Sequence, residues 1–202
     1  MTLAKRLCDL IGALALAVLL SPLIAGLALW VWLTQGGPVL HASERMGQGG
    51  RPFTLWKFRT MAHAIQDGGV TGADKTARIT PQGRVLRRTR LDELPQLWNI
   101  LRGEMSFVGP RPPLRLYVAR FPDLYAQVLR SRPGVTGLAT LVYHAHEERL
   151  LSGTVNATET DAVYARRCVP RKARLDLIYA RHRTICMDLW ILGRTVRKVF
   201  GP

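Results

Sequence analysis

Residues 91–112 read LDELPQLWNILRGEMSFVGPRP, and the rest of the 202-residue chain is organised around them. Two adjacent carboxylates, Asp92 and Glu93, follow a basic run from Arg84 to Arg90 that carries four arginines. Asp92 is a favoured N-cap residue, and Pro95 suits a first helical turn, where backbone N–H groups lack partners. Leu94, Leu97, Trp98 and Leu101 then recur at helical spacing, and Gly103 suits the left-handed position past a helix end. The pattern predicts a short helix with Asp92 at its N-terminus, a place that keeps carboxylates ionised and attracts phosphate. Beyond it, Gly109-Pro110-Arg111-Pro112-Pro113 stiffens the backbone around one guanidinium. Two readings fit this stretch. Either the acids cap a helix beneath a solvated arginine face, or they form a charged site for a phosphorylated ligand.

On the N-terminal side, residues 39–46 and 51–61 flank the loop Gly47-Gln48-Gly49-Gly50 and predict a β-hairpin. In its second arm Phe53, Leu55, Lys57 and Arg59 share one face, and Thr54, Trp56, Phe58 and Thr60 share the other. Cations beside aromatics on a strand suit either a nucleic acid or a diphosphate. Residues 63–82 are polar and glycine-rich, the composition of a mobile loop able to close over a ligand.

Further back, Leu10 to Leu33 contains no charged residue. A straight helix of that length would reach about 36 Å, enough for a hydrocarbon core of about 30 Å. Ser21-Pro22 falls near its midpoint, and two halves of about 18 Å each would instead enter a bilayer and return. Lys5, Arg6 and Asp9 leave the preceding flank at +1, and the remaining +14 follows the run, so charge does not place the flanks on opposite sides.

On the C-terminal side, Leu114 to Arg130 predicts a bent or paired helix broken at Phe121-Pro122. Arg132-Pro133-Gly134-Val135-Thr136-Gly137 reads as a tight turn that sets Arg132 on a rigid loop. Residues 141–172 carry no clear pattern, and His144 and His146 within them read as surface residues. The last 32 residues hold eight Lys/Arg against Asp176 and Asp188, with apolar faces suited to an anionic membrane or to the domain's own core.

The formal charge of +15 points to a polyanionic partner: nucleic acid, anionic lipid or a phosphorylated substrate. Three widely spaced cysteines, Cys8, Cys168 and Cys186, argue against a disulfide framework or a zinc knuckle and suit a reducing cytosolic location.

Several segments together resemble the bacterial sugar transferase family, the small monotopic phosphoglycosyl transferases. They are Lys5-Arg6 with Asp9, the Ser21-Pro22 break, ERMGQGGRPFTLWKFRTM, the 91–112 block, RPGVTGLA, and Asp176, Tyr179 and Asp188 at the family's spacing. After Ala139 relatives often continue with a QVNGR-like run, whereas here TLVYHAHEERLLSG follows, so the resemblance implies no particular sugar. It implies an α+β, mostly helical fold. Residues 1–36 would form a re-entrant membrane helix, and 37–202 a cytosolic interfacial catalytic domain with a β-hairpin and amphipathic helices at the membrane surface. The implied activity moves a sugar-1-phosphate from a UDP-sugar to polyprenol (undecaprenyl) phosphate and releases UMP. Asp92 is implied as nucleophile and Mg²⁺ ligand and Glu93 as general base, with Lys57, Arg59, Arg87, Arg111 and Arg132 on phosphate or UMP. The implied setting is the cytoplasmic face of a bacterial inner membrane, among anionic lipids and next to downstream glycosyltransferases. A membrane-tethered nucleic-acid-binding module and a non-catalytic scaffold of a glycan assembly complex are the alternatives.

Overall fold

The computed structural model describes residues 2–62 and 78–201. Helix α1 (Leu3–Leu19) starts behind Thr2, whose side chain accepts from the Lys5 N–H, and α2 (Ser21–Gln35) follows after a single residue, Leu20. Their axes differ by 62°. Pro22 lies in the first turn of α2, where its missing N–H costs no helical bond, and the Ser21 hydroxyl donates to the Val18 carbonyl (2.8 Å). The break therefore falls at the Ser-Pro pair. No single helix among the described residues is long and apolar enough to cross a membrane, and the bent pair meets that measure only jointly.

Three charged side chains of α1 lock it to the rest of the chain. Lys5 pairs with Asp188, which also accepts from the Tyr179 hydroxyl. Arg6 donates to the Ile100 and Leu101 carbonyls (2.7 and 3.1 Å), and Asp9 accepts from the Phe107 N–H (3.3 Å). Lys5 and Asp9 are buried; Lys5 is paired by Asp188, and Asp9 is held through one oxygen, its Oδ2 having no hydrogen-bond partner among the described residues.

Strand β1 (Leu40–Met46) pairs antiparallel with β2 (Pro52–Phe58), Leu40 opposite Phe58 and Met46 opposite Pro52. Gly49 and Gly50 take φ of 70° and 72° in the connecting turn, which is why the loop is glycine-rich. Both hairpin faces are covered. Leu55 packs with Ala13, Leu97, Ile100 and Met105, and Phe58 packs with Val31 and Leu86.

The expected loop over 63–82 lies mostly outside the described residues, and its end is helical: Thr80 caps α3 (Pro81–Thr89) by accepting from the Gly83 N–H (3.0 Å). Asp92 does not cap a helix. Leu91–Glu93 form a 3₁₀ turn, and α4 (Gln96–Leu101) begins after Pro95 and ends before Gly103 at φ 82°. The buried face of α4 also differs from the expected one, because Ile100 and Asn99 are enclosed while Trp98 is 55% exposed. Asn99 explains this rotation. Its amide accepts from the Trp56 N–H and donates to the Thr54 carbonyl and Glu104, which pins α4 to the hairpin.

Strand β3 (Ser106–Val108) follows, then α5 (Arg115–Arg120) and α6 (Pro122–Val128), the helix pair expected at Phe121-Pro122. The stretch predicted as a turn at 132–137 is instead strand β4 (Gly134–Thr136), parallel to β3 with Ser106 opposite Gly134 and Val108 opposite Thr136. Residues 141–172 belong to α7 (Leu138–Ser152), α8 (Ala157–Val163) and a π-turn at Tyr164–Cys168 that runs into α9 (Val169–His182). Helix α10 (Ile185–Phe200) ends the chain's regular structure. The largest buried cluster joins α5, α6, α7 and α9 through Tyr117, Tyr125, Val128, Tyr143, Leu151 and Ala173. Helix α9 thus packs into the core, whereas α10 leaves Leu189, Trp190 and Val196 at least half exposed. The architecture is α+β and mostly helical, as expected.

Candidate active site

A cavity of about 830 Å³ opens between the hairpin, α3, the 3₁₀ turn, the 110–113 loop and the α7–α9 wall. Lys57 reaches it from β2 and Arg87 from α3, while Asp92 and Glu93 reach it from the 3₁₀ turn and Arg111 from the proline loop.

The approach of α3 depends on Gly83, where a Cβ would lie 2.0 Å from the Thr60 carbonyl oxygen. That backbone contact lets Arg87 Nε donate to Thr60 Oγ1 (2.9 Å) and holds α3 against the end of the hairpin. Arg90 then takes left-handed φ/ψ of 58° and 14°, costing about 1–2 kcal/mol for a residue with a Cβ. This reversal swings the next three residues into the 3₁₀ turn and aims both acids inward.

The loop that carries Arg111 is fixed by backbone contacts on either side of it. Gly109 N–H donates to the Thr136 carbonyl and Gly134 N–H to the Pro110 carbonyl, both at 2.9 Å. A Cβ on Gly134 would stand 2.1 Å from the Gly109 nitrogen, so the two loops approach this closely only through glycine. Arg111 then donates to Glu93 (2.8 Å), and Arg90 lies 3.5 Å from the same Glu93 oxygen. Arg90 also bonds His144 Nε2 (2.6 Å). Because arginine only donates, that nitrogen accepts. His144 therefore lines the cavity and is not the surface residue the sequence suggested.

The two acids are tuned apart. Burial foremost, then the neighbouring Glu93 charge, pushes the Asp92 carboxyl up to about 6, against the pull of Lys57, Arg111 and Arg87. Burial also raises Glu93, but Arg111 and Arg90 outweigh it and hold that carboxyl below its usual range. Lys57 is pushed down to about 8 by burial and then by Arg87, Arg111 and Arg45, so the cations crowd one another. Asp92 is 7% exposed, and its Oδ1 has no hydrogen-bond partner among the described residues. An unpartnered buried carboxylate oxygen amid cations can attack an electrophile or ligate a hard cation. No cluster of three or more His, Cys, Asp or Glu suited to a metal occurs among the described residues, so the donor set fits only a cation that takes most ligands from substrate phosphate and water.

Of the residues singled out from the sequence, the cavity gathers Asp92, Glu93, Lys57, Arg87 and Arg111. It does not gather Arg59 or Arg132. Arg59 is 6% exposed and donates to the carbonyls of Gln35, Gly36 and Gly37, closing the C-terminus of α2. Arg132 lies beside Arg6 and Asp9 of α1, whose charges act on it. The cavity adds Arg45, Arg90, His144, Glu147, Lys172 and Asp176, which sequence reasoning had not placed there. Arg45 was legible in principle, because it stands opposite Phe53 on the hairpin face that carries Lys57. Of the α7–α9 residues, Asp176 stood out only by its spacing from Tyr179 and Asp188, and the others had no such signal.

Comparison with known proteins extends over the whole chain. The family model described as bacterial sugar transferase matches residues 1–202. A Caulobacter vibrioides protein named UDP-glucose:undecaprenyl-phosphate glucose-1-phosphate transferase is 40% identical over 200 residues, covering 96% of this chain and 68% of the relative. An Aeromonas hydrophila protein named UDP-N-acetylgalactosamine-undecaprenyl-phosphate N-acetylgalactosaminephosphotransferase is 32% identical over 201 residues, 96% of this chain but 43% of the relative. The Bacillus subtilis protein named uncharacterized sugar transferase EpsL is 37% identical over 195 residues, with 96% and 86% covered. The chain thus spans about two thirds of the Caulobacter relative and under half of the Aeromonas one.

Proposed function

The chain belongs to the bacterial sugar transferase family, and from that membership and the cavity chemistry we propose that it transfers a sugar-1-phosphate from a UDP-sugar to polyprenol phosphate, releasing UMP. The observation that carries the reading is the unpartnered, buried Asp92 carboxylate facing Lys57, Arg87 and Arg111 in one cavity. Asp92 attacks the β-phosphorus, the bond from that phosphorus to the bridging oxygen breaks, and UMP departs with the electron pair. The phosphosugar stays on Asp92 as a mixed anhydride. An oxygen of polyprenol phosphate then attacks the same phosphorus and frees the carboxylate. Raising the carboxyl to about 6 makes it a stronger nucleophile that is still mostly ionised near neutral pH. Glu93, held ionised by Arg111 and Arg90, accepts the acceptor phosphate's proton when that group carries one. The guanidinium of Arg111 and the Lys57 ammonium stabilise charge on the diphosphate oxygens. Asp92 would also hold a Mg²⁺, which when bound neutralises phosphate charge.

A polyprenol acceptor and a soluble UDP-sugar fit a reaction at a membrane surface, read here as the cytoplasmic face of a bacterial inner membrane. Two exposed apolar surfaces support this setting. Leu3, Ile11, Val18, Leu19 and Leu33 on α1 and α2 are each more than 60% exposed, and Leu189, Trp190 and Val196 lie on α10. The 62° bend at Ser21-Pro22 supports reading α1 and α2 as a re-entrant pair. Anionic lipids would contact the basic flanks, and downstream glycosyltransferases would take the product.

The test is purified protein with polyprenol phosphate, Mg²⁺ and a panel of UDP-sugars, with UMP release as readout. Wild type is expected to release UMP with at least one donor, and Asp92→Asn to release none. With donor alone, mass spectrometry should find the phosphosugar on the peptide that contains Asp92. Normal turnover by Asp92→Asn would remove the assignment.

A further inference from the structure

The cavity has two chemically distinct ends. At one, Lys57, Arg87, Arg111 and Asp92 act on one another. At the other, Lys172 donates to both oxygens of Glu147 (3.1 and 3.0 Å) and to the Tyr164 hydroxyl (3.2 Å), and its charge also acts on Asp176. Lys172 has three donors, and those contacts occupy its ammonium. Asp176 is 8% exposed and lines the same cavity, yet its Oδ1 has no hydrogen-bond partner among the described residues. A carboxylate enclosed in this way costs stability unless a ligand supplies donors.

We propose that this α7–α9 end of the cavity, with Asp176 as its principal acceptor, holds the sugar ring of the nucleotide sugar and decides which sugar is accepted. The inference rests on the function proposed above. A diphosphate does not belong beside Asp176 and Glu147, since like charges repel. Uracil presents two carbonyl acceptors and one N–H, a poorer match than a sugar diol to the ionised form of Asp176, which only accepts. A ring bearing neighbouring hydroxyls matches it, because two O–H groups can donate to the two carboxylate oxygens. Ribose and hexose both carry such hydroxyls. The hexose is favoured because the ribose leaves with UMP, whereas the sugar stays beside Asp92 through both half-reactions. The stretch TLVYHAHEERLLSG supplies His144, Glu147, Glu148 and Leu151 to this wall.

The test measures binding to the full-length protein in lipid nanodiscs, in an Asp92→Asn background so that no transfer consumes the donor. Titrations of UDP-glucose, UDP-galactose, UDP-N-acetylglucosamine and UDP give the gain in affinity that each sugar adds to UDP. Adding Asp176→Asn is expected to abolish that gain, a loss of about 10-fold or more for the preferred sugar, with UDP affinity changed less than about twofold. Asp176→Ala repeats the measurement should the amide disturb folding, and melting curves confirm that the titrated protein is folded. Equal weakening of UDP and UDP-sugar would assign the end to the nucleotide and overturn the proposal. An unchanged gain, or no gain in the parent, would also overturn it. Failure of the transferase reading looks different: sugar-dependent binding that needs Asp176, with no UMP released by wild type from any donor.

Discussion

Arg111 donates to Glu93 across 2.8 Å, and this pair ties the proline loop to the 3₁₀ turn that carries Asp92. The Arg111 side chain is 41% exposed, so its value lies in placing charge at the cavity rather than in stabilising the fold. Glu93 takes part of that charge, and the remaining donors of the planar fork face the open cavity.

Arg111→Ala is therefore expected to lower kcat/KM for the UDP-sugar about 10- to 100-fold, the loss of one charge-assisted contact, with little change in melting temperature. Arg111→Lys should recover only part, since an ammonium cannot serve Glu93 and a phosphate in the fork geometry. Steady-state kinetics beside melting curves decide the point. Early melting with wild-type kinetics in the folded protein would make Arg111 a structural residue.

Arg59 predicts the reverse pattern. Its guanidinium donates to three carbonyls at the end of α2, where helical C=O groups lack partners and the dipole favours a cation. Arg59→Ala should cost about 3 kcal/mol and lower the melting temperature by several degrees, leaving the KM for UDP-sugar within about twofold. A rise in KM without loss of stability would return Arg59 to the substrate.

Asp176 makes stability depend on pH. Burial pushes its carboxyl up to about 7 from an ordinary value of 3.8, with Lys172 opposing. The folded state then binds the proton more tightly than the unfolded chain, so this group weakens the fold as pH rises from about 4 to about 7. Above about pH 7 the cost is complete, on the order of 4 kcal/mol. Asp176→Asn removes the titration. It should melt higher than wild type at about pH 8, with the gap narrowing near pH 5 and closing by about pH 4. Parallel melting curves across that range would show that Asp176 does not titrate with folding.

Much of this arrangement was legible because local rules agreed with the tertiary outcome. The hairpin announced itself by alternation around a glycine loop, the helix break by Ser21-Pro22, and the paired helices by Phe121-Pro122. The failures have physical causes. Lys57 and Arg59 share a face by alternation, yet β2 stops at Phe58, and beyond it Arg59 turns back to α2. A helix cap at Asp92 was reasonable until Arg90, a residue with a Cβ, took left-handed backbone angles that no sequence rule announces. Strand β4 is three residues long and pairs with residues some thirty positions earlier, so its stretch resembled a turn. Helix α7 was unreadable because it buries only Ala139, Tyr143 and Leu151 of its fifteen residues and gives much of its remaining surface to the cavity.

The final prediction concerns the bend between α1 and α2. Its 62° angle is held by the missing N–H of Pro22 and by the Ser21 hydroxyl on the Val18 carbonyl. Neither constraint survives Ser21→Ala with Pro22→Ala, and the uncharged run from Leu10 to Leu33 is then long enough to span a bilayer as one helix. A re-entrant pair keeps both ends of the segment on the cytoplasmic side, whereas a straight helix carries the first residues across. Cys8 and Cys186 would be replaced by serine and the buried Cys168 by alanine, with one new cysteine at Leu3, which is 77% exposed. Intact cells would be treated with a membrane-impermeant thiol reagent. The parent should stay unlabelled until the inner membrane is opened, and the double-alanine variant should label at least partly from outside. Efficient labelling of the parent in intact cells would make α1 and α2 a kinked spanning helix and would end the re-entrant reading.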